Sequence, residues 1–359
     1  MDRDNKKYNN LKLQAQIINI ILLVILFIVL IFTDLSKYLR DLSVELVKIK
    51  YISFLVFVFF IGGMEKLISL PADFFSGYIL EHRFNLSNQS LAGWIKEEMK
   101  GTGISILLFF PILLAFYFFI IKFDNLWWIP TGILIFFFGL LLTKIAPLVI
   151  FPLFYKFNKI EDEELRNRLT EFSTDFAIKV EGVFSFNLSK DTKKANAAFA
   201  GLGKTKRILL ADNLLENFST GEILSVFSHE VGHYKLKHII KLTFIGFFFT
   251  FTGLFLVSVL FSSLIGNFGF NGISDIAAFP LLGLLFFIYM MITMPLQNSI
   301  SRKFEKDADR FAVKNSSKVD FTNALNKLKD LNLADPEPHP FVEFVFYSHP
   351  SISKRIKYL

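Results

Sequence analysis

The chain of 359 residues contains no cysteine. Disulfide bonds and thiolate-held metals are therefore excluded, and any bound metal must be held by histidine and carboxylate. Histidine is itself scarce, at six residues. A large excess of one charge is also missing: 39 Lys and Arg against 32 Asp and Glu leave a net +7, and no DNA- or RNA-binding motif occurs. No nucleic-acid partner is expected.

What the chain has in quantity is apolar surface. Hydrophobic residues make up 53% of it, with 46 phenylalanines and a mean hydropathy of +0.47, more than a soluble core hides. Charge-free runs at Leu13–Thr33, Gly101–Ile121, Asn125–Thr143, Leu242–Ser274 and Ile276–Ser301 each reach the roughly 20 residues needed to cross a bilayer. Tyr51 to about Pro71, interrupted by Glu65 and Lys66, makes a sixth. The expectation is a polytopic all-α membrane protein of six, possibly seven, transmembrane helices, with residues 1–154 holding four spans and 155–359 two more. The first run is too long for a signal-peptide core and reads as a retained anchor.

With six spans, the N-terminus, the 65–100 loop, the 155–238 segment and the C-terminus share one side. Arg3, Lys6, Lys7 and Lys12 flank the first span there, and the turns near Lys122 and 266–275 hold almost no basic residues. Although Lys37, Arg40, Lys48 and Lys50 fall opposite, the balance puts the shared side in the cytoplasm.

On that side lies His229-Glu230-Val231-Gly232-His233, an HEXXH pattern. Histidines four apart on a helix project from one face and can share a zinc ion, and the intervening Glu can take a proton from an activated water. Taken alone, the pattern also fits a surface helix with two solvated histidines. Ser219-Thr220-Gly221-Glu222 is a capping box that starts the helix, which is expected to continue through Lys237 into the fifth span. His238, five residues past His233, would then lie off the ligand face and reads as interfacial.

A catalytic zinc needs a third protein ligand and an open position. Asn298, Arg302, Glu305 and Asp309 share one helix face directly after the sixth span, at spacings 0, 4, 7 and 11. The stripe reads either as a solvated charged face or as a wired polar site.

HEVGH, the stretch from Asn298 to Ala312 (NSISRKFEKDADRFA) and Ser348 to Ile356 (SHPSISKRI) together resemble the type 1 CAAX prenyl proteases, zinc endopeptidases embedded in the membrane. The resemblance extends to Lys194–Gly201, Lys206–Asp212 and Tyr78–Ser87, and so covers roughly residues 50–359. Two departures stand out: Ala198 where an aromatic is usual, and six spans where the family generally has seven. The resemblance implies His229, His233 and Glu305 as ligands of one Zn2+ per chain and Glu230 as catalytic base. It implies Asp309 behind a ligand histidine, and His349 and Arg355 near the scissile carbonyl. It also implies helices enclosing an internal chamber and a small β-hairpin before the zinc helix.

Physical chemistry agrees with several of these roles. A ligand histidine normally gives its second N–H to a carboxylate, and Asp309 sits one turn past Glu305. An oxyanion needs a donor, for which His349 is the candidate unless it merely caps the last helix. Ala195–Gly201 reads as an edge strand able to hold an extended peptide, with Asn196, Ala197 and Ala198 as substrate contacts and Gly201, Gly203 and Lys204 as its turn; Asn298 and Arg302 complete the substrate set.

The expected function is a multi-pass membrane zinc endopeptidase that cleaves near the C-terminus of prenylated substrates. Its expected partners are a lipidated or membrane-associated peptide and membrane lipid, in a monomer of prokaryotic cell membrane. The alternatives are a heat-shock-type quality-control metalloprotease and a non-catalytic transporter or binding protein.

Overall fold

The computed structural model describes residues 2–201 and 206–359; the turn residues Gly203 and Lys204 lie outside them. In chain order the elements are α1 (Asp2–Phe32), α2 (Leu35–Leu46), α3 (Lys50–Phe74), α4 (Leu80–Arg83), α5 (Leu91–Phe123), α6 (Trp128–Ile145) and α7 (Phe151–Phe154). There follow β1 (Phe157–Lys159), α8 (Glu163–Asp175), β2 (Gly182–Phe186), β3 (Ala197–Ala200), β4 (Arg207–Ala211), α9 (Asp212–Asn217) and α10 (Thr220–Lys235). The chain ends with α11 (His238–Leu264), α12 (Phe279–Asn315), α13 (Lys318–Leu331), α14 (Pro340–Phe346) and α15 (Ile352–Tyr358).

Six helical stretches among the described residues are long and apolar enough to cross a membrane, as expected. They are α1, α3 running on through α4, α5, α6 with α7, α11 and α12. Between the first two lies α2, whose 12 residues span about 18 Å, short of the roughly 30 Å hydrocarbon core. Its Ser36 hydroxyl bonds the Ala277 carbonyl at 2.6 Å, and Arg40 pairs with Asp275 at 3.0 Å, so α2 packs on the turn before α12.

Helix α12 is the central span. Its apolar window is 44% buried against 6% for α6 with α7, and it runs unbroken for 37 residues from the membrane to Asn315. Within the bundle, α5, α6, α11 and α12 line an open apolar cavity of about 610 Å³ that reaches Gln297.

The hairpin expected before the zinc helix forms, β3 against β4, but within a larger sheet of order β1-β2-β4-β3. β2 pairs parallel with β4, Val183 opposite Ile208. This long-range pairing has no local turn signal, which is why the sequence showed only the hairpin. β3 is left at an edge. The sheet, α8, α10 and α13 share one core that includes Val183, Ile208, Leu210, Phe227, Val231 and Ala324, so the segment before the fifth span and the segment after the sixth close on each other.

The α10 start is a complete capping box. Ser219 N–H donates to Glu222 Oε2 at 2.7 Å, and Glu222 N–H to Ser219 Oγ at 3.3 Å. Lys327 of α13 adds a charge-assisted bond to Glu222 Oε2 at 2.6 Å. The far end departs from expectation. The chain does not continue as one helix into the span: Lys237 takes a left-handed φ of 57°, ends α10 and starts α11 in a new direction.

The N-terminal span is tied into the peptidase region by partly buried polar contacts. Lys194 Nζ reaches Glu81 Oε1 at 2.7 Å and Tyr8 Oη at 3.0 Å, joining α1, α4 and the approach to β3. Asn5 and Asn9 donate to carbonyls of residues 329, 333 and 334.

Burial by itself raises the Glu222 pKa, but Lys327 and Ser219 outweigh it and hold the carboxyl below its ordinary 4.5. The ionised form is therefore favoured in the folded state, a contribution present above about pH 4.5 and lost as pH falls through the lower folded value. Glu222→Gln is expected to cost about 1 kcal/mol at neutral pH, read as a lower melting temperature in detergent, and the difference from wild type should narrow progressively as pH falls below 4.5.

Candidate metal and active site

Three helical elements and one loop deliver the site. His229, Glu230 and His233 come from α10, Glu305 and Asp309 from α12, Arg355 and Tyr358 from α15, and His349 from the loop before it. α10 and α12 approach closely because the fourth residue of HEVGH is glycine. A Cβ at Gly232 would sit 3.1 Å from Phe311 of α12, tighter than ordinary contact.

The two helices bring three donor atoms to a point. His229 Nε2 and His233 Nε2 are 3.1 Å apart, and each lies 3.3 Å from an oxygen of Glu305. Four donors at about 2.0–2.1 Å around a tetrahedral ion are about 3.3 Å from one another, so the spacing fits a zinc-sized cation. A second observation agrees: Glu305 Oε2 is buried with no hydrogen-bond donor, which is costly unless a cation or its equivalent faces it. His229, His233 and Glu305 alone form such a cluster among the described residues.

Asp309 anchors the cluster from behind. It is fully buried, its Oδ1 lies 2.8 Å from His229 Nδ1, and Arg355 grips both its oxygens at 2.8 and 2.5 Å. Tyr358 donates to Oδ2 at 2.6 Å, a contact across 49 residues that no local pattern announces. Burial works against the charge on Arg355, yet the bond to Asp309 and its field raise the pKa further. The family resemblance implied Arg355 near the scissile carbonyl; its guanidinium is instead committed to Asp309, though its side chain still borders the pocket.

Glu230 lines a pocket of about 190 Å³ beside the cluster and has no polar partner among the described residues. His349 is exposed, with Nε2 3.3 Å from Glu305 Oε1. It does not cap the last helix, since the residue at that position is Ser351. Asn196 and Ala197 border the same pocket, whose apolar wall includes Val226, Phe321, Leu325 and Leu328. Ala198, one residue on, pairs with Leu209. Asn332 pins the strand at its start, accepting from Ala195 N–H at 2.9 Å and donating to the Ala195 carbonyl at 3.2 Å.

Asn298 and Arg302 are not brought to this pocket. Asn298 donates to the Val345 carbonyl at 2.6 Å, and Arg302 to the carbonyls of Glu343 and Tyr347 at 2.9 and 2.5 Å. Both bind the end of α14, whose orphan carbonyls need donors. His238 also departs from its reading as interfacial: it is 1% exposed and meets His233, Nδ1 to Nδ1, at 3.1 Å. The left-handed turn at Lys237 causes this, and no pattern in the sequence announces it.

The profile of peptidase family M48 matches residues 159–359. The chain belongs to peptidase family M48. A second profile, the CAAX prenyl protease N-terminal region of five membrane helices, matches residues 3–156, so the similarity begins well before residue 50. An uncharacterized metalloprotease of Bacillus subtilis, YhfN, is 30% identical over 98% of this chain and 84% of its own. CAAX prenyl protease 1 of Saccharomyces cerevisiae is 29% identical over 84% and 71%. The crystal structure of S. mikatae Ste24p superposes with a TM-score of 0.90 at 26% identity, covering 99% of this chain and 88% of that one. This M48 member is thus a multi-pass membrane metalloprotease of the CAAX prenyl protease kind, and a peptide or protein is its substrate.

Replacing Asp309 by Asn keeps the shape but removes the charge that Arg355 neutralises and that His229 faces. Divalent-metal affinity, read by chelator competition, is expected to fall about 10- to 100-fold.

Proposed function

We propose that the protein is a zinc-dependent endopeptidase that cleaves near the C-terminus of prenylated, CAAX-type substrates, with one zinc held by His229, His233 and Glu305. The observation that carries the reading is the convergence of those three donors at 3.1–3.3 Å with Glu230, which has no polar partner among the described residues, beside them. A bound zinc supplies Lewis acidity, lowering the pKa of a water toward neutrality and polarising the scissile carbonyl.

The chain's own residues supply the rest. Glu230 takes a proton from the attacking water and returns it to the leaving amine. His349, on the open side of the cluster, donates to the developing oxyanion. Asp309 holds His229, and Arg355 holds Asp309.

Substrate is aligned by β3. The Ala211 N–H bonds the Asn196 carbonyl at 3.0 Å, so alternation turns the N–H and C=O of Ala197 to the free edge. An extended peptide adds there as a further strand with a side chain toward the apolar pocket wall, and Ala198 backs that contact from the paired side. Asn298 and Arg302 serve the site indirectly by fixing α14, which leads into the loop of His349.

Residues 1–154 supply four spans and 155–359 the peptidase region with two more, in a monomer. The isoprenoid and surrounding lipid are accommodated by the membrane region. The N-terminal profile and the Ste24p likeness favour this over a quality-control protease, and the intact donor set favours it over a transporter. We place the site on the cytoplasmic side of a prokaryotic cell membrane, from the basic flanks and the Bacillus relative.

Purified in detergent, the full chain is expected to cleave a farnesylated CAAX peptide, with Glu230→Gln slowing cleavage at least about 100-fold while one zinc stays bound. A zinc-loaded wild type that ignores the prenylated peptide would refute the substrate class. Sidedness is testable because the chain lacks native cysteine. A membrane-impermeant maleimide should label Asn267→Cys on intact cells but Lys318→Cys only after permeabilisation.

A further inference from the structure

Each ligand histidine has a second ring nitrogen, and the two are served differently. Nδ1 of His229 faces the Asp309 carboxylate at 2.8 Å. Nδ1 of His233 faces another histidine, His238 Nδ1, at 3.1 Å. When His233 Nε2 holds an ion, its Nδ1 carries the proton, so Nδ1 of His238 must receive it through a lone pair. We propose that His238 is a positioning residue that fixes the tautomer and ring plane of His233, a neutral counterpart to Asp309. This rests on the metal-site reading above.

The surroundings hold His238 in that orientation. Its ring is 1% exposed and lies flat on Phe304, centroids 4.4 Å apart at 9°, and Phe304 is the neighbour of the ligand Glu305. On an unbroken helix a residue five beyond His233 would point about 140° away. The contact exists because Lys237 takes the left-handed conformation, φ 57°, uncommon for a side chain of its size. The chain turns there and lays the first residue of α11 against the last ligand of α10.

A neutral acceptor also suits the charge around the cluster. Asp309 is buried opposite the fork of Arg355, so its negative charge is matched. Behind His233 no arginine is bonded in that way among the described residues; the near cation is Lys241, whose Nζ lies 5.6 Å from the Phe304 ring centroid. Histidine supports the ligand without adding an unmatched buried charge.

The test is zinc affinity of the full chain in detergent, stripped of metal and titrated against a chromophoric chelator, so the readout does not depend on catalysis. His238→Phe keeps a ring on Phe304 but has no acceptor, and its affinity should fall about 10- to 100-fold with the melting temperature of the metal-free protein unchanged. His238→Asn loses the stacking but places an amide oxygen where Nδ1 was, and should bind nearly as tightly as wild type. Wild-type affinity in the Phe variant, or an Asn variant as weak as Phe, would overturn the proposal. Should the Phe variant fail to fold, His238→Leu takes its place as the variant without an acceptor, with the same outcomes. A wild type that takes up no zinc would instead overturn the metal-site reading itself.

Discussion

Helix α10 against helix α12 is the contact on which the rest of this molecule depends. It puts His229 and His233 opposite Glu305, and His229 Nδ1 at 2.8 Å from Asp309. The contact is possible because Gly232 presents no side chain to Phe311. α12 is also the most deeply buried span, so one continuous helix carries both the wall of the intramembrane cavity and the acidic half of the site. Its length transmits the placement of the membrane bundle directly to the metal ligands.

Burying two carboxylates among imidazoles is unfavourable unless each charge is matched. Asp309 is matched by Arg355 and by the hydroxyl of Tyr358, which explains why the last helix of the chain folds back onto α12. Glu305 faces only the imidazoles of His229, His233 and His349, with no Arg or Lys paired to it among the described residues, and one of its oxygens is buried with no hydrogen-bond donor. The imbalance points to a cation as the missing partner. The same logic separates Asp309, whose oxygens are gripped by Arg355 and Tyr358, from Glu230, whose carboxylate has no polar partner among the described residues and lines the pocket.

Much of this was legible in the sequence because the signals were local. Five of the six spans are charge-free runs, the α10 start is a capping box, and Glu305 and Asp309 share a face at a fixed spacing from the sixth span. What escaped depended on pairing across long separations or on one backbone dihedral. The parallel β2–β4 ladder joins segments with no common turn, Tyr358 meets Asp309 across 49 residues, and His238 reaches His233 only through the left-handed Lys237. The stripe of Asn298 and Arg302 was visible too, but face alone did not reveal that their partners are the carbonyls at the end of α14.

The central claim is that His229, His233 and Glu305 hold one divalent cation. Crystals of the zinc-loaded full chain, measured on either side of the zinc absorption edge, test it most directly. A single anomalous peak is expected, equidistant from the two Nε2 atoms and the Glu305 carboxylate and absent in Glu305→Gln. A peak elsewhere, or none in zinc-loaded wild type, would contradict it.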